Sequence, residues 1–438
     1  MQRRPIDAHE AAALNRELVF AALGAENVIS RAGLARSTGL SKATVSQIID
    51  QFRRDGLIEI VGPGPSVKGR RPTLLRLDPQ SRFVVGVQLE ATSCSAVLAD
   101  LHGQPVRKLS TAMPLASAED ALAAAADLIQ QLRAGLPAGK LLGIGLGVPG
   151  LVDSARGIIR SAANLGWRDV PAGPAIAART GIPTVLINRA KAAAVGEAWC
   201  GAGKGVDDLV CIYVSTGISA GIVLRGDLYR GAFMSEGEIG HHTMLPDGPL
   251  CPCGNRGCLQ MFASGPAILT RLLERLRADP MLRTGSLADD EPDALTFELL
   301  AQAAAEGNTA VTDVLDSAAD YLGIAVANLV NTLDPPLVIL GGPVIDALPM
   351  LVPRVEAVIR RRALWVSAAS VRVAASQLGQ DAVALGAAAF LLRHISVIES
   401  GTGNGATLKK VQTVVLPEQG PQEQGPVLVP DLIGRGIL

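Results

Sequence analysis

The chain has 438 residues, room for two or three domains, and its 48% hydrophobic and 18% charged residues, with 47 Gly and 27 Pro dispersed along it, exclude a disordered or fibrous polymer. Aromatic residues are only 3%, so the cores must be Ala, Val, Leu and Ile, which suits helices on parallel strands, and no apolar run reaches the about 18 residues of a membrane span. The net charge of -1 hides an asymmetry: residues 1–80 carry 12 Lys and Arg against 8 Asp and Glu, net +4, and the remainder is net -5, so an anionic polymer would be met at the N-terminal end.

Arg3, Arg4, Asp7, His9 and Glu10 precede any apolar stretch, without a signal-peptide core, so the expected location is the cytoplasm, with six reduced cysteines. Leu14, Leu18, Val19, Ala22 and Leu23 recur at helical spacing. Ser30 can cap a second helix to Thr38, Gly39 breaks it, and Ser41 starts a third to Asp55. Residues 57–61 and 73–77 read as two strands joined by a Gly/Pro loop holding Lys68, Arg70 and Arg71. Residues 1–80 are thus expected to form a winged helix-turn-helix. Ser41, Lys42, Thr44, Ser46 and Gln47 open its recognition helix toward base edges, Val45, Ile48, Ile49 and Phe52 face its core, and Lys68, Arg70 and Arg71 reach a minor groove or phosphates.

From Arg82 onward the pattern is α/β. Strands are expected at 83–89, 94–99, 141–148, 184–187, 209–214, 220–224 and 337–340. Helices are expected at 117–133, 190–199, several between 264 and 332, and 382–392. Residues 399–438 are polar and Gly/Pro-rich, the composition of a loose tail, and no 20–50 residue repeat is visible.

His241, Cys251, Cys253 and Cys258 gather more soft ligands than any other stretch, and three thiolates with one imidazole fill a tetrahedral shell, the donor set of structural zinc. His242 competes for the fourth position. Cys94, Cys200 and Cys211 lie on apolar elements and read as core.

The stretches Gly237-Glu238-Ile239-Gly240-His241 and Cys251-Pro252-Cys253-Gly254-Asn255-Arg256-Gly257-Cys258-Leu259-Gln260 resemble the ROK family of repressors and sugar kinases, and the winged head resembles its repressor branch. The resemblance extends from about Phe83 to Arg393. It implies an actin-like ATPase fold of two α/β lobes, here 81–187 with 380–395 and 188–379, with a sugar between them and zinc ordering one wall. It also implies that His241 binds zinc with one nitrogen and faces the sugar with the other.

Where the family's kinases carry Asp-x-Gly-Gly-Thr-Lys, this chain reads Gln88-Leu89-Glu90-Ala91-Thr92-Ser93, and where they carry Glu-Asn-Asp-Ala-Asn it reads Ile187-Asn188-Arg189-Ala190-Lys191. The acidic Glu90 repels phosphate and Arg189 cannot act as a base, so no ATP and no catalytic residue is expected. Gly150, Asn164, Asn188, Glu238 and His241 fall on the resemblance's sugar-contacting positions, while Arg189 and Gln260 replace its carboxylates. Arg189 then either grips an anionic sugar derivative at two points or pairs with Glu238 across a vestigial site, or a neutral sugar binds despite the changes. The expectation is a cytoplasmic regulator of carbohydrate genes, a repressor, that binds a palindromic operator as a homodimer or homotetramer and senses a small carbohydrate, with no membrane contact. A sugar kinase with a DNA-binding head and a regulator governed by a protein partner are the alternatives.

Overall fold

The computed structural model describes residues 8–26, 28–64, 71–90, 92–113, 117–162, 165–288 and 295–394. The loop residues Lys68 and Arg70, the expected ligand residue Asn164 and the tail 399–438 lie outside them.

The head is built from α1 (Ala8–Ala25), β1 (Ile29–Ser30), α2 (Arg31–Thr38), α3 (Lys42–Arg54), β2 (Ile58–Pro63) and β3 (Thr73–Leu77). Its helix boundaries follow from local chemistry. The Ser30 hydroxyl accepts from the Gly33 amide at 3.1 Å, Gly39 closes α2 at φ 70°, and the Ser41 hydroxyl accepts from the Thr44 amide at 3.1 Å. Val45, Ile48, Ile49 and Phe52 are buried, with Phe52 edge-on to Phe20 at 6.2 Å. The wing is three-stranded, in the order β1-β3-β2. Two residues, Ile29 and Ser30, are too few to show a period-2 pattern, so the sequence shows two strands there.

The body holds β4 (Phe83–Leu89), β5 (Ser93–Asp100), β6 (Pro105–Ala112), α4 (Ala118–Arg133), β7 (Leu141–Val148), β8 (Leu151–Asp153), β9 (Ile158–Ala162), β10 (Trp167–Val170), α5 (Ala172–Thr180), β11 (Thr184–Asn188) and α6 (Arg189–Cys200). There follow β12 (Leu209–Val214), β13 (Ile218–Leu224), β14 (Asp227–Leu228), α7 (Gln260–Ala263), α8 (Gly265–Ala278), α9 (Phe297–Ala305) and α10 (Thr309–Leu333). Next come β15 (Leu337–Gly341), α11 (Pro343–Ala347), α12 (Leu351–Arg362), α13 (Trp365–Ser370), β16 (Arg372–Ala375) and α14 (Ala382–His394).

Two five-stranded sheets repeat one topology: β6-β5-β4-β7-β11 and β14-β13-β12-β15-β16. In each, three antiparallel strands are extended by two parallel ones, so the sheets are mixed where composition pointed to parallel strands. The repetition lies in topology, not in any short sequence period. No described helix is long and apolar enough to cross a membrane.

Helices α6 and α14 lie between the sheets, and glycines let them approach. A Cβ on Gly86 would stand 1.8 Å from the Ala384 carbonyl oxygen, one on Gly145 1.9 Å from that of Ala387, and one on Gly386 1.7 Å from that of Ala192. Backbone cannot yield that far. Gly145→Ala is therefore expected to lower unfolding free energy by at least about 3 kcal/mol, read in urea melts; a change under about 1 kcal/mol would mean the contact is looser than described.

Candidate functional site

Strand β11 delivers Asn188 to the mouth of the body, where its Oδ1 caps α6 by accepting from the Ala190 and Lys191 amides at 2.9 and 3.3 Å. Its Nδ2 donates to the Gly150 carbonyl at 2.9 Å. Gly150 sits at φ 85°, and a Cβ there would lie 2.0 Å from the Ser161 carbonyl oxygen, so only glycine fits.

Arg189 does not pair with Glu238. One guanidinium nitrogen donates to the Glu90 carboxylate, another reaches the Ser215 hydroxyl at 3.4 Å, and the guanidinium carbon lies 5.7 Å from the Tyr213 ring centroid. Glu90 also accepts from Gln88 Nε2 at 3.0 Å and from the Tyr213 phenol at 3.3 Å. The ion pair is mostly enclosed, with 12% and 18% of its side chains exposed.

The cation near Glu238 is instead Lys191, which the sequence reading did not single out as a site residue. Its Nζ contacts Glu236 Oε1 at 2.6 Å and donates to the Met234 carbonyl at 3.1 Å. Burial raises the Glu238 carboxyl above the ordinary range, opposed by Lys191 and reinforced by Glu236. A lysine inside a buried Ala/Val helix was the available signal.

A cavity of about 650 Å³ opens over these groups. Gly150, Asn188, Arg189, Glu238, His241 and Gln260 line it with Ser215 and Ser219, together with Arg168, Ser161 and Ser235, which sequence reasoning missed because isolated serines and a surface arginine carry no motif.

Beside it, His241, Cys251, Cys253 and Cys258 bring their donor atoms within 4.8 Å of one another. His241 Nδ1 is 3.8 Å from Cys251 Sγ, and Cys253 Sγ is 3.7 Å from Cys258 Sγ. His242 stands outside this group. The tight path needs Gly257, at φ 65°, where a Cβ would fall 1.6 Å from the Leu245 carbonyl oxygen. Burial pushes the Cys258 thiol up to about 12, whereas the backbone amide of Asn255 draws the Cys253 thiol down. Gln260 Nε2 donates to Cys251 Sγ at 3.2 Å, tying the cavity wall to the cluster. Of the cysteines expected in the core, Cys94 and Cys211 are buried and Cys200 is half-buried.

A family model described as ROK family matches residues 84–394. The chain belongs to the ROK family. It is 30% identical to the xylose repressor of Bacillus subtilis (strain 168), over 87% of this chain and 95% of that protein. Among solved structures, a ROK family transcriptional regulator, described as a homologue of E. coli MLC protein, superposes with a TM-score of 0.75 at 27% identity, covering 87% of this chain and 96% of that one. A ROK family glucokinase from Streptomyces griseus in complex with glucose and AMPPNP gives 0.65 at 32%, covering 70% of this chain and 98% of that one. Named regulators and named kinases thus share the ROK body, and the regulators match more of this chain.

On the head of this ROK chain, Ser41, Lys42 and Gln47 are exposed at the start of α3, Thr44 and Ser46 are half-buried, and Arg71 is exposed beside β3. The Ser41 and Thr44 hydroxyls lie 2.9 Å apart and serve the cap. Arg31, paired with Asp50 at 2.6 Å, also donates to the Ser46 carbonyl at 3.3 Å and braces α3 against α2.

The enclosed pair yields a stability test. Arg189→Met is expected to cost about 3 kcal/mol by leaving Glu90 uncompensated, and adding Glu90→Gln to recover most of it in a double-mutant cycle. Strictly additive effects would show that the two charges do not interact.

Proposed function

We propose that this chain is a DNA-binding transcriptional regulator, a repressor of carbohydrate genes, whose ROK body binds a sugar or sugar derivative without phosphorylating it. The observation that carries this reading is the Arg189–Glu90 pair. A guanidinium stays protonated near neutral pH and cannot accept a hydroxyl proton, so position 189 supplies no base for phosphoryl transfer. The similarity to a xylose repressor supports a sugar-responsive regulator.

In this reading residues 1–80 form the DNA-binding head, with 81–187 plus 380–395 and 188–379 as the lobes. Ser41, Lys42, Thr44, Ser46 and Gln47 meet the major groove, and Lys68, Arg70 and Arg71 meet the minor groove or phosphates. A cytoplasmic homodimer or homotetramer presents two heads to a palindromic operator. Gly150, Asn164, Asn188, Arg189, Glu238, His241 and Gln260 form the ligand site. With Arg189 already neutralised by Glu90, a neutral sugar is favoured over an anionic one. Glu238 lines the cavity, where its carboxyl oxygens can accept from ligand hydroxyls. His241, Cys251, Cys253 and Cys258 would hold zinc, whose role is to fix the wall carrying His241. His241 Nδ1 faces Cys251, which leaves Nε2 for the ligand.

Fluorescence anisotropy on an operator selected from genomic DNA tests the reading. A neutral pentose or hexose should weaken DNA binding while the sugar phosphates do not, and no sugar should accelerate ATP consumption; sugar-dependent ATP turnover would overturn it. Lys42→Ala should weaken binding across sequences and lower the salt slope by about 1, and Gln47→Ala should relax specificity at one position by about 1–3 kcal/mol. Full-length protein should carry one zinc per chain, and chelating it should abolish the sugar response before operator binding.

A further inference from the structure

Gln260 opens α7, two residues after Cys258, and its amide meets different surroundings at its two ends. Nε2 donates to Cys251 Sγ at 3.2 Å. Oε1 faces Gly217, where a Cβ would lie 3.3 Å from it, and Gly217 and Gln260 both line the cavity of about 650 Å³. The reverse orientation of the amide would set a carbonyl oxygen against the sulfur, and a metal-bound thiolate has only lone pairs to offer. The sulfur therefore decides which end of the amide the cavity meets.

The residue type at this position carries the consequence. Three thiolates around a divalent ion leave one negative charge in excess, and Cys251 is 2% exposed, so water does little to offset it. A carboxylate at the same distance from Cys251 Sγ could not donate and would add a second negative charge, whereas the N–H of an amide offsets part of the first. With Nε2 committed to sulfur, position 260 offers a ligand an acceptor and no donor.

We infer that Gln260 is a positioning residue that joins the ligand cavity to the metal: its amide donates to the Cys251 thiolate, and Oε1 is thereby held as an acceptor for a ligand hydroxyl. The inference rests on the reading of His241, Cys251, Cys253 and Cys258 as zinc ligands and adds the residue through which cavity and metal sense each other. A hydroxyl donating to Oε1 polarises the amide and strengthens its N–H···S bond, so the chain of bonds is cooperative. By linkage, whatever factor the metal adds to ligand affinity, the ligand adds to metal affinity.

Zinc affinity of the full chain, by competition with a chromophoric chelator, and the sulfur-to-metal charge-transfer band after loading with cobalt(II) test it together. Gln260→Glu and Gln260→Met are each expected to lose about tenfold or more in zinc affinity, the glutamate more than the methionine. In both, the cobalt band should move to lower energy, because a thiolate that loses a hydrogen-bond donor holds its electrons less tightly; a side chain that only packs would leave the band in place. In unaltered protein labelled with ¹⁵N-glutamine and loaded with ¹¹³Cd, one side-chain amide should show scalar coupling to the metal across the N–H···S bond, which decides the matter even if a variant fails to fold. Unchanged zinc affinity or an unshifted band in either folded variant, or no coupled amide in the cadmium-loaded chain, would each overturn the inference. A wild-type chain that takes up none of the three metals removes the zinc reading and this one with it, whereas a loaded wild type with indifferent variants overturns the role of Gln260 alone.

Discussion

The packing of the body depends on one constraint, the closeness with which helix α6 is crossed by its neighbours. Its inner residues Ala190, Ala192, Ala193, Ala194 and Val195 are buried, and Gly196 meets α14 so tightly that a Cβ would stand 2.7 Å from the Ala382 carbonyl oxygen. On its other flank a Cβ on Gly221 of β13 would lie 2.5 Å from the Ala190 carbonyl oxygen. Such distances leave no slack, because a packed interior transmits displacement and does not absorb it. The two sheets are therefore held at a spacing set by missing side chains.

The first turn of α6 explains why its charges are paired as they are. A helix N-terminus carries partial positive charge and favours anions, yet this one opens with Arg189 and Lys191 and has no acidic residue in the turn. Two cations against the dipole must be compensated from elsewhere. Glu90 at the end of β4 does this for Arg189, and Glu236 does it for Lys191. Asn188 completes the arrangement by capping the amides that no anion now serves. An aspartate at position 189 would have been stabilised by the same dipole, so the arginine and Glu90 make sense as one change in two places.

That coupling marks the limit of what the sequence reveals. Local chemistry was legible: the serine caps at Ser30, Ser41 and Ser117, the apolar runs of β4, β7 and β12, and the ligand spacing of the cysteine loop all rest on neighbours a few residues apart. The partner of Arg189 was not, because Glu90 lies 99 residues away and both Glu90 and Glu238 offered a carboxylate of the right charge. Strand β6 was also hidden. It is an exposed edge strand reading Pro-Val-Arg-Lys-Leu-Ser-Thr-Ala, whose outer face needs no apolar alternation. The short strands β8, β9 and β10 have three to five residues each, below the length at which periodicity speaks. Spacing alone left His242 beside His241, and it is the fold of the loop that brings His241 to the three thiols.

The same helix pair reaches the head. The 12 residues of α6 span about 18 Å, from Arg189 beside the cavity of about 650 Å³ to Cys200, and Trp199 near their end lines a second cavity, of about 480 Å³, with Leu14 and Leu18 of α1 and Leu392 and Arg393 of α14. Glu17 of α1 also faces that space, where burial raises its carboxyl, and Arg393 is held to the Gly226 carbonyl at 2.7 Å. The joint between head and body is thus half-filled and partly polar, in contrast to the close glycine contacts at the pivot. Close backbone contact fixes α6 where it crosses α14, whereas the head meets the far end of this pair through α1, which packs on α14 beside a partly open, partly polar space.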